Sequence, residues 1–188
     1  MTIRALRLFL FFSTSISLLV ASCAKEQFPE KEGDNWGESS TIAGSQKSQY
    51  LVKLENKIKN KNKTYTWIWS VVNIKPGNGT AGTAQDLQNW GISLGNCAVM
   101  GQVISGSTSA DGITWKNFNP DTQAEVSAGL SKQVIMFQQG TAKNQKSYYK
   151  LVVSQNYSID NSITAVYKSV DNTIGGLLRV NGFGCPMP

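Results

Sequence analysis

The sequence predicts an all-β protein, an antiparallel β-sandwich or jelly-roll-like fold of about eight strands. Three observations support this prediction. Short segments alternate apolar and polar residues with the period of two that is typical of half-buried strands. Turn signals rich in Gly, Asn, Asp and Pro separate these segments. Helical periodicity is nearly absent, and only residues 83–90 are expected to form a turn or two of helix.

The clearest predicted strand begins at Tyr65 and reads Tyr-Thr-Trp-Ile-Trp-Ser-Val-Val. Tyr65, Trp67 and Trp69 share one face of it, because side chains two residues apart point the same way. We expect this face in the core, since a sandwich buries one face of every strand. A sugar-stacking platform is the alternative. The other predicted strands cover residues 50–58, 99–104, 133–137, 147–153, 163–170 and 173–180.

A lysine cluster surrounds the first predicted hairpin, whose tip lies at residues 59–63. Basic clusters attract polyanions, but no stacking platform or groove-reading helix accompanies this one. We therefore interpret the lysines as a solvated tip that discourages pairing of strand edges, and we expect no nucleic-acid partner. The cluster consists of Lys53, Lys57, Lys59, Lys61 and Lys63.

Residues 1–22 predict a signal peptide. Arg4 and Arg7 precede an apolar run over residues 8–20, which is shorter than the ~20 residues that a membrane-spanning helix needs. The segment Val20-Ala21-Ser22-Cys23 resembles the lipobox of bacterial lipoproteins. This resemblance implies cleavage before Cys23, transfer of a diacylglycerol to its sulfur and acylation of its new amino group. The alternative is an ordinary cleaved signal peptide whose cysteine happens to lie near the cut.

The lipobox also implies a location in the cell envelope, with a lipid anchor in the outer membrane. The protein is expected on the cell surface if Lys25-Glu26 acts as the short charged export signal of some Gram-negative lipoproteins. The anchored membrane is the first partner that the sequence predicts.

Residues 23–49 predict a flexible tether, and residues 50–188 predict the β-sandwich domain. Glu, Lys, Gly, Ser and Gln dominate the tether, which shows no period of 2 or 3.6. Such a composition buries too little apolar surface to offset the entropy of ordering. The domain carries 13 basic and seven acidic residues, so it is basic while the tether is acidic.

The two remaining cysteines predict a disulfide. After lipidation of Cys23, only Cys97 and Cys185 are left, so an intramolecular bond has a single connectivity. The signal peptide directs the chain to an oxidising compartment, where paired cysteines usually form cystines. Two buried free thiols are the alternative.

The absence of histidine excludes Ser-His-Asp and Cys-His nucleophiles and His-ligated zinc. Asp111 and Asp121 lie on neighbouring predicted loops and are the candidate carboxylate pair of a hydrolase. The same two residues, with loop carbonyls, are the candidate ligands of a structural calcium ion. Ordinary turn chemistry explains both aspartates as well. We expect no catalytic residue and no other cofactor.

Residues 65–115 resemble a little-characterised family of secreted bacterial β-domains. The resemblance implies an extracellular β-sandwich, often found on anchored surface proteins, and it implies no catalytic residues. The motifs that carry it are Trp67-x-Trp69, Asn73-x-x-Pro76-Gly77-Asn78-Gly79, Leu87-x-x-Trp90-x-Ile92-x-Leu94-Gly95-x-Cys97 and Asp111-Gly112-x-x-Trp115.

Trp90 and Trp115 border turns, where each either projects as a ligand-stacking tip or packs into the core. The sequence therefore predicts a surface-anchored, non-catalytic binding module for a glycan or an envelope protein. The candidate ligand-binding residues are Trp90, Trp115, Asp111 and Asp121. The alternatives are a surface hydrolase that uses the Asp pair and a structural subunit of an envelope complex.

We predict that Cys23 is the lipidated first residue of the mature protein. Labelled palmitate is expected to enter the wild-type protein and not the Cys23→Ala variant. Equal labelling of the two proteins, measured after immunoprecipitation, would contradict the lipobox assignment.

Overall fold

The computed structural model describes residues 40–41, 50–74, 86–124, 133–142, 145–170 and 175–188. The predicted signal peptide, Cys23 and all of the predicted tether except residues 40–41 lie outside these ranges. Within the ranges, no helix is long and apolar enough to cross a membrane.

The described residues form eleven strands and one short 3-10 turn at Met100–Gln102. The strands are β1 (Ser40–Thr41), β2 (Tyr50–Lys59), β3 (Tyr65–Asn73), β4 (Leu87–Ser93), β5 (Val103–Ser109), β6 (Lys116–Phe118), β7 (Thr122–Ala124), β8 (Gln133–Phe137), β9 (Lys146–Val153), β10 (Tyr157–Ser169) and β11 (Gly175–Pro186).

Two antiparallel sheets form a β-sandwich, which confirms the predicted fold class. One sheet has the strand order β1-β11-β10-β4-β8-β7, and the other has the order β2-β3-β9-β5-β6. The count exceeds the eight expected strands because β1, β6 and β7 have only two or three residues each. Such short strands carry no readable alternation of apolar and polar residues.

The core lies between the sheets, and the aromatic face of β3 is part of it, as predicted. Trp67 and Trp69 are fully buried, and their ring centroids lie 5.9 Å apart. Both rings meet Phe183 of the opposite sheet edge to face, at 4.8 and 5.6 Å. The indole nitrogen of Trp69 donates a hydrogen bond to the backbone oxygen of Asn181 at 2.8 Å.

The helical turn expected over residues 83–90 is wrong from Leu87 onward, because those residues belong to β4; residues 83–85 lie outside the described ranges. Leu87 and Trp90 are both buried although they lie three residues apart. The pairing of β4 with β10 skips Gln88, which places a β-bulge between the two buried residues. This bulge produces a spacing that resembles helical periodicity in the sequence.

The predicted lysine hairpin is confirmed by the pairing of β2 with β3. Its tip closes with a backbone hydrogen bond of 2.8 Å from Asn60 to Thr64. Lys59, Lys61 and Lys63 are exposed there, as expected. Lys57 differs, because its ammonium group donates to the backbone oxygen of Tyr157 and lies 5.4 Å from the centre of the Trp67 ring.

Part of the predicted tether contacts the domain. Ser40 and Thr41 pair with Arg179 and Leu178 of β11, at the edge of the six-stranded sheet. The backbone of an edge strand offers unpaired N–H and C=O groups, which a short passing segment can satisfy. Contact with the sandwich therefore begins before residue 50.

Cys97 and Cys185 form a disulfide with their Cα atoms 4.9 Å apart. This confirms the predicted pairing. The bond joins the connection between β4 and β5 to the end of β11, the last strand of the chain. It therefore restrains a terminal strand that would otherwise fray from its free end.

We predict that the Cys97→Ala/Cys185→Ala variant melts at a lower temperature than the wild type. The bond closes a loop with a sequence separation of 88 residues, and a loop of that size stabilises by about 4–5 kcal/mol in the chain-entropy model. Thermal melting with and without reductant measures the effect, and reductant is expected to lower the melting temperature of the wild type only. Equal melting temperatures, or two alkylatable thiols in unreduced protein, would contradict the prediction.

Candidate functional site

A cleft with a volume of about 390 Å³ opens where β6 of one sheet meets the residues that follow β8 of the other. Its volume lies within the range of roughly 300–1,000 Å³ that is usual for small-ligand sites. Polar side chains and one aromatic ring line it. They are Thr108, Lys116, Asn117, Phe118, Gln138 and Gln139.

The pairing of β5 with β6 builds the first wall of the cleft. Lys116 lies opposite Thr108, and Phe118 lies opposite Gly106, so these side chains share one face of the sheet. The Phe118 ring lies directly against Gly106, where a Cβ atom would be 2.4 Å from it. Phe118 also packs edge to face on Phe137 of the opposite sheet, with 5.7 Å between ring centroids. The aromatic wall is therefore held from two sides.

The second wall is the segment Gln138-Gln139-Gly140, which leaves β8. A Cβ atom at Gly140 would lie 1.8 Å from the backbone oxygen of Leu87, so only glycine fits this approach. The close approach lets Thr141 and Leu87 exchange two backbone hydrogen bonds of 3.0 Å. The segment that carries both glutamines is thereby attached to β4.

Tyr149 of the core fixes the same segment. Its hydroxyl donates to the backbone oxygen of Gln139 at 3.0 Å and lies 3.0 Å from the hydroxyl of Thr141. Burial raises the pKa of Tyr149 from 10.0 to about 12, although the hydrogen bond with Thr141 acts in the opposite direction. The phenol therefore remains a donor at physiological pH. Its contribution to stability is lost only as the pH rises above about 10.

Gln139 presents a hydrogen-bond donor with no acceptor. Its side-chain nitrogen is buried and has no partner among the described residues. An unsatisfied buried donor costs about 1–3 kcal/mol, and each such group in a native structure calls for an explanation. The nitrogen is enclosed by its neighbours, so a ligand in the cleft could reach it only if the side chain rotated.

The structure does not bring Asp111 and Asp121 together. Asp111 lies in the turn between β5 and β6, and Asp121 follows the far end of β6, a strand that spans roughly 10 Å. The expectation that the two carboxylates meet is wrong, because a strand separates loops that are neighbours in sequence. Neither residue is among those that line the cleft.

Asp111 instead stabilises its own turn. Its carboxylate accepts hydrogen bonds from the backbone N–H groups of Thr114 and Ile113, at 2.7 and 2.8 Å, and from the Ser109 hydroxyl at 2.8 Å. These bonds hold the pKa of Asp111 well below its usual range. This is the turn chemistry that the sequence offered as the competing interpretation.

The calcium ion expected at Asp111 and Asp121 stays a prediction. In the described parts of the chain, no group of three or more His, Cys, Asp or Glu side chains is placed to hold a metal ion.

Trp90 is a core residue, so the expectation that it projects as a ligand-stacking tip is wrong. It is fully buried, stacked on Phe137 at 4.8 Å and edge to face with Tyr149 at 5.1 Å. The physical reason is the position of β4, which lies between β10 and β8 in the interior of the six-stranded sheet.

Trp115 lies at the surface and is half-buried. The ammonium group of Lys150 lies 4.2 Å from the centre of its ring, which is a cation–π contact. One face of the indole is thus already occupied. Trp115 precedes Lys116 in the chain but is not among the residues that line the cleft.

Sequence reasoning missed all six lining residues of the cleft. The one available signal was Gln138-Gln139-Gly140, a polar pair and a glycine directly after a buried strand. The opposite wall depends on the three-residue strand β6, which has no recognisable pattern.

We predict that Tyr149→Phe lowers the free energy of unfolding by about 1–2 kcal/mol, because two polar partners lose their hydrogen bond. The matched control is Tyr65→Phe, which makes the same chemical change at a half-buried residue and should change stability by less than about 0.5 kcal/mol. Urea denaturation measures both variants. Equal stability of the two would show that Tyr149 does not hold the Gln139 segment.

Neither a family model nor a curated protein matches this chain. The resemblances to bacterial lipoproteins and to secreted bacterial β-domains therefore remain predictions. The geometry of the cleft carries the functional argument.

Proposed function

We propose that this protein is a surface-anchored lipoprotein whose β-sandwich is a non-catalytic module that binds a glycan in the cleft between β6 and the segment after β8. The observation that supports this proposal is the set of polar side chains that line the cleft. Gln138 and Gln139 bring side-chain amides, and Thr108 brings a hydroxyl. These groups both donate and accept hydrogen bonds, as the hydroxyls of a sugar do.

The aromatic ring of Phe118 supports a glycan as the ligand. Ligand sites combine apolar contact area with a few polar groups that fix orientation. Phe118 supplies the apolar wall, and its packing on Gly106 and Phe137 holds the ring in place. A sugar ring presents an apolar face and a polar rim, and the cleft offers a matching partner for each.

The separation of Asp111 and Asp121 supports binding without turnover. Glycoside hydrolysis needs two carboxylates about 5–9.5 Å apart on either side of the scissile bond. The six lining residues include no carboxylate, and Asp111 is engaged by its own turn.

The route of the chain supports a module presented away from its anchor. Ser40–Thr41 joins the six-stranded sheet at β11, whereas β8 lies four strands from β1 in the same sheet. At about 4.8 Å a strand, the two positions are roughly 19 Å apart across the sandwich. Ser40–Thr41, the described residues nearest to Cys23 in the chain, therefore lie away from the cleft.

We predict that the cleft variant Gln138→Ala/Gln139→Ala loses at least about tenfold in affinity for the bound glycan, since amide hydrogen bonds to a ligand are lost. A glycan array with the periplasmic, unlipidated Cys23→Ser protein identifies the ligand, and calorimetry measures the affinity. The matched control is Gln133→Ala/Gln145→Ala, which removes two exposed glutamines outside the cleft and should bind as the wild type does.

Three outcomes would contradict the proposed function. The first is that no glycan binds the wild-type protein. The second is that both glutamine variants lose affinity equally. The third is the release of reducing ends from a bound polysaccharide, which would favour a hydrolase.

A further inference from the structure

The lysine hairpin, two connecting segments and the end of β11 meet at one end of the sandwich. Val153, the last residue of β9, pairs with Tyr65 at the start of β3 and with Val103 at the start of β5. The hairpin tip and the loop before β5 therefore lie on either side of the β9–β10 connection, about 10 Å apart at two strand spacings. The Cys97–Cys185 disulfide brings the end of β11 to the same place. We call this surface the basic end, and it consists of residues 59–64, 94–104, 154–157 and 185–188.

The basic end carries exposed positive charge. Lys59, Lys61 and Lys63 are exposed and form no ion pair with a described residue. Its four segments contain no Asp or Glu. Asp160 lies further along β10, and its carboxylate accepts hydrogen bonds from the backbone N–H and the hydroxyl of Ser162, at 2.8 and 2.6 Å. The described residues of this end therefore supply no acidic side chain to neutralise the three lysines.

Apolar side chains are exposed at the same end. Val99, Ile104 and Met187 are 56%, 52% and 37% exposed. An interface between a bilayer and water accepts such a combination, because apolar groups enter the acyl boundary while lysines contact the headgroups. A soluble polyanion would match the lysines and leave the apolar side chains in water.

The opposite end of the sandwich also exposes apolar side chains, but it places them beside acids. Ile113 donates its backbone N–H to the carboxylate of Asp111 at 2.8 Å, and Val170 donates its backbone N–H to the backbone oxygen of Asp86 at 2.9 Å. An anionic surface would repel these carboxylates. Charge therefore distinguishes the two ends.

Backbone hydrogen bonds hold the basic end in shape. The N–H of Ser154 donates to the oxygen of Gln102 at 2.9 Å, and the N–H of Met187 donates to the oxygen of Asn156 at 2.7 Å. These bonds and the disulfide join the loop before β5, the β9–β10 connection and the last residues of the chain. A surface that is ordered before it binds loses less entropy on binding.

The direction of β1 points to the same end. Ser40 and Thr41 pair with Arg179 and Leu178 in antiparallel order, so Ser40 lies nearer than Thr41 to the last residues of β11. Ser40 follows Cys23 by 17 positions, a length of chain that spans at most roughly 60 Å. A domain anchored at Cys23 would stay within that distance of the bilayer. At such a local concentration, a contact of low intrinsic affinity is sufficient.

We propose that the basic end is a membrane-docking surface that lies on an anionic phospholipid bilayer. Its lysines contact the headgroup phosphates, and Val99, Ile104 and Met187 enter the interface. The inference rests on the proposed lipid anchor at Cys23 for the choice of a bilayer as partner. It adds a second contact with the membrane, made by the folded domain itself.

This orientation is compatible with ligand binding in the cleft. Gln138 follows Phe137, which pairs with Trp90 near the start of β4, whereas the basic end begins where β4 ends. The glutamine wall and the basic end therefore lie at opposite ends of β4. Docking through the basic end would leave the cleft on the side away from the bilayer.

The first test is co-sedimentation of the unlipidated Cys23→Ser protein with vesicles, so that no acyl chain contributes to binding. The two probes are vesicles of phosphatidylcholine alone and vesicles of equimolar phosphatidylcholine and phosphatidylglycerol. We expect at least about tenfold tighter binding to the anionic vesicles, because each lysine near such a surface contributes about fivefold. The preference is expected to weaken as the salt concentration rises.

Two variants of equal net charge locate the surface. Lys59→Gln/Lys61→Gln should lower binding to the anionic vesicles by at least about tenfold. The matched control, Lys168→Gln/Arg179→Gln, removes two exposed charges outside the basic end and should bind within about twofold of the wild type, because salt screens distant charges. All four side chains are exposed, so both variants should melt at the wild-type temperature.

Tryptophan reporters test which end enters the interface. Val99→Trp places a reporter in the basic end, and Ile113→Trp places one in the turn between β5 and β6 at the opposite end, where Ile113 is 65% exposed. Anionic vesicles that contain brominated phosphatidylcholine should quench the fluorescence of Val99→Trp more than that of the wild type. Quenching of Ile113→Trp should equal that of the wild type.

The outcomes separate this inference from the proposed function. Equal binding to neutral and anionic vesicles, equal losses in the two charge variants, or equal quenching of the two reporters would overturn the docking surface. Binding of soluble polyglutamate as tightly as anionic vesicles would overturn the bilayer as its partner. Glycan binding without vesicle binding would overturn this inference alone, whereas vesicle binding by the unlipidated protein would support it even if no glycan bound the cleft.

Discussion

Aromatic packing between the two sheets is the interaction on which the rest of the structure depends. Trp67 and Trp69 of one sheet enclose Phe183 of the other, with all three rings at most 1% exposed. Aromatic pairs contribute about 0.5–1.5 kcal/mol beyond the apolar area that they bury. Because Phe183 lies in β11, two residues before Cys185, this packing and the disulfide stabilise the same terminal strand.

A second cluster of buried aromatic rings supports both walls of the cleft. Trp90 and Phe137 of the six-stranded sheet pack on Tyr149 of the five-stranded sheet. Phe137 directly precedes the glutamine wall, and it also supports the ring of Phe118 on the opposite wall. Both walls are therefore attached to one buried cluster. Trp90, the residue expected to stack on a ligand, instead belongs to the support beneath the site.

In the cleft, Gln139 is held in position although its side-chain nitrogen lacks a hydrogen-bond acceptor. A buried donor without an acceptor reduces the stability of the folded protein, and the surrounding hydrogen bonds of Tyr149 and Thr141 keep Gln139 in place despite that loss. Such an arrangement is common where a protein meets a ligand. The cleft lies at the side of the sandwich away from β1, where the segment that follows Cys23 joins the sheet.

The sequence by itself determined the class of fold, the strands with long regular alternation and the disulfide. Strands β3 and β9 could be predicted because a period of two is a local property of the chain. The pairing of Cys97 with Cys185 could be predicted because lipidation of Cys23 would leave one connectivity.

Only the tertiary structure decided the burial of Trp90, the separation of Asp111 from Asp121 and the composition of the cleft. Each depends on which strands become neighbours and on which face of the sheet a side chain lies. Trp90 is buried because β4 is an interior strand. The β-bulge in β4 interrupts the period of two by which a strand is recognised in a sequence. The cleft is lined by Lys116 of the five-stranded sheet and by Gln139, which lies 23 positions further along the chain and follows β8 of the six-stranded sheet. No local pattern encodes such a meeting, because it arises only when two sheets pack face to face.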